Sequence, residues 1–312
     1  MAVIQSAISL GIPAVSLGLL WSIMVIGIYI TYRILDIADL TVEGSITLGA
    51  AACTAMIRAG HGAILGTILA FVCGLLAGFI TGILHTKLRI PALLSGILTM
   101  IALWSINLHV MGTANISILR MKTLFTPIQS LGMSKYASWI IVGGGLAIII
   151  ITALYWFFGT ELGSALRATG NNPNMVRANG VHTDTMIIIG LMLSNGLVSL
   201  SGALIGQSQS FADIQMGMGS IVIGLASLIV GEVLFGKRHL FVRLLSVVLG
   251  AVAYRIIIAL VMELGMNPND LKLFTAITVA AALSMPHVAA RLRGARKPPS
   301  VKEAEQCLRS HG

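Results

Sequence analysis

The chain has 312 residues, of which 56% are hydrophobic and only 10% charged, and its mean hydropathy is +0.94. A water-soluble domain carries about a quarter charged residues to cover its surface, so a soluble globule of this size is excluded. The formal net charge of +9 does not indicate nucleic acid either, because Lys and Arg sit almost entirely in short breaks between apolar runs, where they orient a membrane protein.

Segments of about 20 apolar residues span a hydrocarbon core about 30 Å thick, and the pattern here predicts an all-α polytopic membrane protein of about nine segments. A single transmembrane domain is expected over residues 1–285, followed by a basic tail over 286–312. The first run is Ile12–Thr31. No Lys or Arg precedes Arg33, so the basic start of a cleaved signal peptide is missing and the run is expected to stay as an anchor. Leu40–Ile57 follows and is short. Ala63–Leu84 carries Gly74, Gly78 and Gly82 as consecutive G-x-x-x-G steps, a stripe for close helix packing; packing within the chain is favoured over a dimer seam. Pro91–Met111 leads into a polar stretch, Thr113–Lys135. Ala137–Phe158 has Tyr136 and Trp139 at one end and Tyr155 and Trp156 at the other, as expected for rings at the two interfaces. The longest polar loop, Gly159–Thr185, precedes Met186–Ile205. Gly217 and Gly219 predict a flexible or re-entrant turn before the short run Ser220–Phe235. Phe241–Met262 and the short Leu271–Met285 complete the set, and short runs can be tilted or broken where backbone is buried in protein.

Alternating nine runs places the N-terminus outside and the C-terminus inside. Inside then fall Arg33, Lys87, Arg89, Arg167, Arg177, Lys237, Arg238, Arg243, Arg291, Arg293, Arg296, Lys297, Lys302 and Arg309, against Arg58, Arg120, Lys122, Lys135 and Lys272 outside. That is the bias a cytoplasmic face carries, and the tail suits an anionic leaflet. Cys53 and Cys73 lie in apolar runs and Cys307 in the tail, with no Cys or His spacing for a metal or redox site.

The loop reads Glu161-Leu162-Gly163-Ser164-Ala165-Leu166-Arg167-Ala168-Thr169-Gly170-Asn171-Asn172-Pro173-Asn174-Met175-Val176-Arg177-Ala178-Asn179-Gly180-Val181. It predicts two short amphipathic helices broken at Gly170, a C-terminal cap for the first. Asn172 and Pro173 suit the N-cap and first position of the second, and Gly180 ends it. Taken alone, these residues fit either a docking knob or an ordinary surface loop.

The same stretch resembles the cytoplasmic coupling loop of ABC importer permeases of the branched-chain amino acid and ribose type, which run approximately G-x-A-L-R-A-x-G-x-N-P-x-A-A-x-x-x-G-I. Gly163, Ala165, Leu166, Arg167, Ala168, Gly170, Asn172, Pro173 and Gly180 fit, whereas Met175 and Val176 stand where small residues are commoner. Similar stretches are Leu191–Gly206, with Ser194, Gly196, Ser201 and Gly202, and Thr31–Gly49, with Arg33, Leu35, Asp39, Glu43 and Gly49. The resemblance covers most of residues 15–285. Within the family, Leu40–Gly44, Gly231–Gly236 and Pro268–Thr275 look most like permeases assigned to tryptophan or related amino acids. The resemblance implies a bacterial plasma-membrane subunit that is not itself an enzyme. ATP and Mg²⁺ would be bound by two partner ATPase subunits that grip the coupling helices. Two permease copies would form the path, and an external binding protein would deliver the solute, an amino acid first, with sugar or nucleoside behind it. Glu161, Leu162, Met175 and Arg177 fall within the same docking element.

Ionisable groups inside a membrane are costly and carry a functional expectation. Glu43, Glu232 and Arg255 fall in apolar runs, and Glu232 paired with Arg255 or Arg243 would neutralise charge between helices, a structural role favoured over contact with the solute. Asn107, His109 and Asn195 are further candidates to line a path. Gly231–Lys237 matches G-x-x-x-x-G-K, yet Arg238 follows where a phosphate loop has Ser or Thr, and the match ends an apolar run rather than joining a strand to a helix. No paired carboxylates, nucleophile elbow or H-E-x-x-H motif is present. The alternative is an ion-coupled secondary transporter or channel, which would want carboxylates near mid-depth.

Overall fold

Long apolar runs free of interior breakers become long helices, and the computed structural model is built almost wholly from them. It describes residues 2–236, 239–263, 270, 273–277 and 280, with side chains from residue 11. The predicted run Leu271–Met285 lies largely outside the described residues, and Lys237, Arg238 and the tail 286–312 lie wholly outside them.

Helix α1 covers Ala2–Tyr29 and continues as one π turn, Ile30–Ile34. There the Leu35 N–H donates to the Ile30 carbonyl at 3.0 Å. Asp36 then adopts φ 56°, left-handed backbone that Asp tolerates better than most residues, and the chain turns into α2, Thr41–Arg58. Asp39 starts that helix, its Oδ1 accepting the Thr41 N–H at 2.9 Å. Next come α3 (Ala63–Thr86), α4 (Ala92–Met111), strand β1 (Asn115–Ser117), the single turn α5 (Thr126–Gln129) and α6 (Lys135–Gly159). The remaining elements are α7 (Glu161–Asn171), α8 (Pro173–Ala178), α9 (Thr183–Gln209), β2 (Phe211–Asp213), α10 (Ser220–Phe235) and α11 (Leu240–Glu263).

Among the described residues, six helices are long and apolar enough to cross a membrane: Gly11–Ile34, α3, α4, α6, α9 and α11. α10 is apolar but has only 16 residues, and α2 carries Thr and Ser along an almost entirely buried surface. The nine predicted runs therefore include two, Leu40–Ile57 and Ser220–Phe235, that are helical without matching the full-length pattern.

α9 is the central post, with α1, α2 and α3 packed on it. Its serines tie it to its neighbours: Ser194 donates to the Gly27 carbonyl at 2.7 Å, Ser201 to Leu20 at 2.8 Å and Ser199 to Ala70 at 2.6 Å. Such bonds between membrane helices contribute about 0.6–2 kcal/mol each. The stripe of Gly74 and Gly78 on α3 faces the α9 backbone at Asn195 and Leu191 so closely that a Cβ would overlap carbonyl oxygens. The G-x-x-x-G steps therefore pack within the chain, as the sequence favoured. α3, α4, α6 and α11 turn large apolar side chains outward, among them Ile64, Leu98, Ile148 and Leu260, as lipid-facing helices do.

One end of the bundle carries the antiparallel pair β1–β2, with Asn115 opposite Asp213 and Ser117 opposite Phe211. The predicted polar stretch Thr113–Lys135 is thus partly ordered by a strand that the chain supplies about a hundred residues later. Trp139 is not an outward interfacial ring. It is 6% exposed, lies under Phe125 with ring centres 6.3 Å apart, and takes Lys135 over its face at 4.9 Å. At the far end of α6, Trp156 is 74% exposed and fits the interfacial expectation.

Candidate functional site

Two places concentrate polar chemistry, one at each end of α2's connections. The first is the α7–α8 hairpin, at the end of the bundle opposite β1–β2. Thr160 caps α7, its Oγ1 accepting the Gly163 N–H at 3.3 Å. The break before α8 is at Asn172, whose backbone is extended and whose Oδ1 accepts the Met175 N–H at 3.1 Å. Pro173 takes the first helical position, and Gly180 follows with φ 81°. Gly170 does not cap α7 as the sequence suggested. It lies within the last turn, against the Ile34 carbonyl of the π turn, where a Cβ would overlap the oxygen. Its missing side chain serves a tertiary contact, which local sequence does not reveal.

The hairpin buries Leu166 (0% exposed) and Val176 (3%) and presents Leu162 and Met175, each 52% exposed. Glu161, Asn171, Asn172 and Pro173 are exposed beside them. Both arginines brace the hairpin. Arg167 donates from Nη2 to the Phe158 carbonyl at 3.0 Å and to Ser164 Oγ at 3.3 Å. Arg177 donates to Thr183 Oγ1 at 2.6 Å and pairs with Asp184 at 3.0 Å. Ala165 and Ala168 are half-buried and Gly163 sits hard against Phe157. Leu166 meets the same wall of α9 as Leu35, at Gly190. The result is a rigid knob with an apolar tip, fixed to the end of α1 and the start of α9.

The second place is a cavity of about 310 Å³ between α2, α4 and the turn 214–219, lined by Glu43, Thr47, Trp104, Ser105, Asn107 and Met218 among others. Glu43 points one carboxylate oxygen at the start of α10, accepting the Gly219 N–H at 3.0 Å; a helix N-terminus suits an anion. Gly217 rests directly on the Glu43 carbonyl, so the turn predicted from Gly217 and Gly219 does dip back into the bundle. Asn107 is 1% exposed and donates to the Gly44 carbonyl at 3.2 Å, while its Oδ1 is buried without a partner among the described residues. An unmet buried acceptor costs about 1–3 kcal/mol.

Residues 13–282 match the family described as "Branched-chain amino acid transport system / permease component". The chain belongs to that family. The family supplies the membrane permeases of ABC-type importers, transporter subunits rather than enzymes. The permease is 38% identical over 299 residues to a tyrosine transport system permease protein of Clostridioides difficile, covering 95% of this chain and 99% of that one. It is 32% identical over 277 residues to an uncharacterized protein of Rickettsia prowazekii, covering 88% and 96%. The autoinducer 2 import system permease protein LsrC of Yersinia pseudotuberculosis is 31% identical over 206 residues, 64% of this chain and 55% of that protein. No solved structure matches the chain.

Of the five path candidates, Glu43 and Asn107 share the cavity in the permease and three do not line it. Asn195 is fully buried between α2 and α9, donating to Asp39 Oδ2 at 2.7 Å and accepting from Ser45 Oγ at 2.7 Å. Glu232 meets Arg33 through two 2.7 Å contacts at the hairpin end, a partner on α1 where the sequence reading expected Arg255 or Arg243. Arg255 instead stacks over Trp21, 4.2 Å from the ring centre, an arrangement that desolvation strengthens. His109 binds the Ser105 carbonyl on its own helix at 2.8 Å. The phosphate-loop match is helical through Phe235, with no strand before it. Sequence reasoning missed Trp104 and Met218 as cavity walls, and it named Asp39 only through the family likeness. Its place two residues before Thr41 was the available signal.

Proposed function

We propose that the permease forms the translocation path of an ATP-driven importer for an amino acid, and that α7–α8 is where a separate ATPase subunit docks. The observation that carries this reading is the rigid seating of the hairpin on the π turn, with Leu162 and Met175 left exposed. A polar knob with an apolar tip suits a protein partner, because buried apolar side chains anchor interfaces. The docking set is Glu161, Leu162, Gly163, Ala165, Leu166, Arg167, Ala168, Gly170, Asn172, Pro173, Met175, Arg177 and Gly180, the buried members holding the exposed ones in place. ATP and Mg²⁺ belong to the ATPase.

The cavity is the solute station of this proposal. The Glu43 carboxylate faces an ammonium group, and Trp104, Met100 and Met218 hold an apolar side chain. Its volume of about 310 Å³ admits one amino acid. The tyrosine permease of Clostridioides difficile supports an amino-acid cargo, and the autoinducer 2 permeases mark the breadth of the family. Two copies form the pathway, and an external binding protein delivers the solute. In a bacterial plasma membrane the hairpin end, rich in Arg and Lys, lies in the cytoplasm with the C-terminus, and the N-terminus lies outside. α2 and α10 complete the single membrane domain of residues 1–285 as partial spans, and 286–312 forms a cytoplasmic tail.

The test is co-purification of the ATPase subunit and uptake by Leu162→Glu and Met175→Glu variants. Burying one such side chain contributes about 1.5–3 kcal/mol, so each variant is expected to bind the ATPase at least tenfold more weakly while inserting normally. Full ATPase binding by both variants ends the docking assignment.

A further inference from the structure

A second polar cavity, of about 360 Å³, opens at the hairpin end between α1, α7 and α11. Its walls bring together Arg33 and Tyr29 of α1, Arg167 and Asn171 of α7, and His239 and Arg243 at the start of α11. Three guanidinium groups from three separate helices thus face one space. Among its described lining residues there is no carboxylate; Glu232 stands behind Arg33, bound to it through Nε and Nη2. Among the described residues of this site, three guanidinium groups meet one carboxylate, that of Glu232. Arg243 hydrogen-bonds the Tyr29 hydroxyl, and Arg167 Nε is buried without an acceptor among the described residues. Like charges gathered in a partly desolvated cavity repel strongly, so the arrangement calls for a polyoxygen anion, and guanidinium forks match phosphate oxygens in pairs.

The surroundings say which phosphate. Phe241, Leu245 and Leu249 are 47%, 40% and 37% exposed and stand four residues apart, an outward apolar stripe on α11 whose upper end adjoins Leu240 in the cavity wall. Tyr155 of α6 meets Phe241 edge-on with ring centres 5.9 Å apart, and Trp156 is exposed beside it. A cationic cavity at the head of an aromatic-bordered apolar stripe complements a molecule with a charged head and long acyl chains. We propose that this cavity holds the phosphate headgroup of an anionic phospholipid, its acyl chains lying along α11. The lipid then bridges α1, α7 and α11 and stiffens the seat of the hairpin. This inference rests on the membrane setting alone and stands or falls independently of the ATPase docking proposal.

The experiment uses the whole permease, purified and stripped of lipid in detergent. Thermal unfolding and native mass spectrometry are followed on adding phosphatidylglycerol, phosphatidylcholine or inorganic phosphate. Phosphatidylglycerol is expected to stay bound and raise the unfolding temperature, with phosphatidylcholine and phosphate far weaker. Losing one charge-assisted contact should weaken phosphatidylglycerol binding about 10- to 100-fold in Arg243→Gln, and Lys87→Gln, at the same end but outside the cavity, should bind as wild type. A photoactivatable phosphatidylglycerol on the wild-type protein should label α11 near Phe241, a readout that does not depend on the variant folding. Equal stabilisation by inorganic phosphate assigns the cavity to a free ion and overturns the proposal. So does labelling elsewhere, unchanged binding by Arg243→Gln, or stabilisation that arises only on adding the ATPase subunit, whose acidic side chains would then be the occupant.

Discussion

Gly170→Ala separates two accounts of the hairpin with opposite signs. In a free helix the change is favourable, since Ala exceeds Gly by about 1 kcal/mol in helix propensity. Here the new methyl would overlap the Ile34 carbonyl oxygen and crowd Leu35. Forcing an extra methyl into a packed contact costs typically 1–3 kcal/mol, and the backbone of the π turn is a poor candidate to yield. The difference leaves roughly 0–2 kcal/mol against the seated hairpin, and 1–2 kcal/mol shifts a two-state population 5- to 30-fold. Gly145 of α6 is the control, a helical glycine with open space around its Cβ position, where Ala should stabilise by about 0.5–1 kcal/mol. The assays are thermal unfolding of the purified protein and uptake in cells or proteoliposomes with the ATPase present. Gly170→Ala is expected to lose most of its uptake without gaining thermal stability, while Gly145→Ala gains stability and transports normally. If Gly170→Ala is stabilised like the control and transports fully, the seat of α7 on Ile34 does not transmit motion.

Three other substitutions probe the remaining links. Asp39→Asn keeps one oxygen for Thr41 N–H but turns an amide donor toward the Asn195 amide, or the reverse; one unmet buried group should destabilise the protein by about 1–3 kcal/mol, and an unchanged unfolding midpoint would show that the network around Asn195 is not needed. Glu43→Gln retains an acceptor for Gly219 N–H but removes the negative charge; the solute concentration for half-maximal uptake should rise at least fivefold with ATPase binding intact, and unaltered concentration dependence would remove Glu43 from the path. Trp21→Leu strips the ring from Arg255 and should cost more than its lost area, since a desolvated cation–π contact contributes about 2 kcal/mol; stability equal to wild type would place Arg255 in water.

Elements that depend on local pattern were legible in the sequence. Most of the described long apolar runs became helices close to their expected ends, although α1 begins at Ala2 rather than Ile12; Asn172 and Pro173 started α8, and Gly180 closed it. What was not legible depends on distant partners. β1 and β2 are three residues each and pair across the whole of α5–α9, too short for a period to register. Glu43 and Asn107 share a cavity because α2 and α4 pack together, and Glu232 finds Arg33 on the first helix because α10 packs against α1. Gly170 illustrates the limit well: its composition context fits a helix cap, and only the Ile34 carbonyl shows that the constraint is one of space. The short runs at α2 and α10 were legible as apolar and left their spans undecided: α10 has only 16 residues, and Thr41 and Ser45 of α2 find partners in Thr81 and Asn195 on other helices, which the local sequence does not show.

The connection between hairpin and cavity is short enough to reason through. From the Ile34 carbonyl, which α7 touches, to Thr41, where α2 begins, the chain has only six intervening residues. One of them, Asp39, is 3% exposed and bonded to both Thr41 and Asn195. A push on α7 reaches Ile34 through backbone contact and must then be taken up before α2 or passed into it. Taking it up before α2 would pull Asp39 from two buried donors, and each loss costs about 1–3 kcal/mol. Rotating α2 as a body keeps the Asp39–Thr41 bond and the helix itself and instead loosens the contacts of Thr41 with Thr81 and of Ser45 with Asn195, and the π turn beside Ile34 is a place where the chain can bend. Glu43 lies in the first turn of α2, beside the cavity mouth. In the importer proposed above, a movement at the hairpin would arrive first at the carboxylate that faces the cavity, through no longer a lever than these few residues.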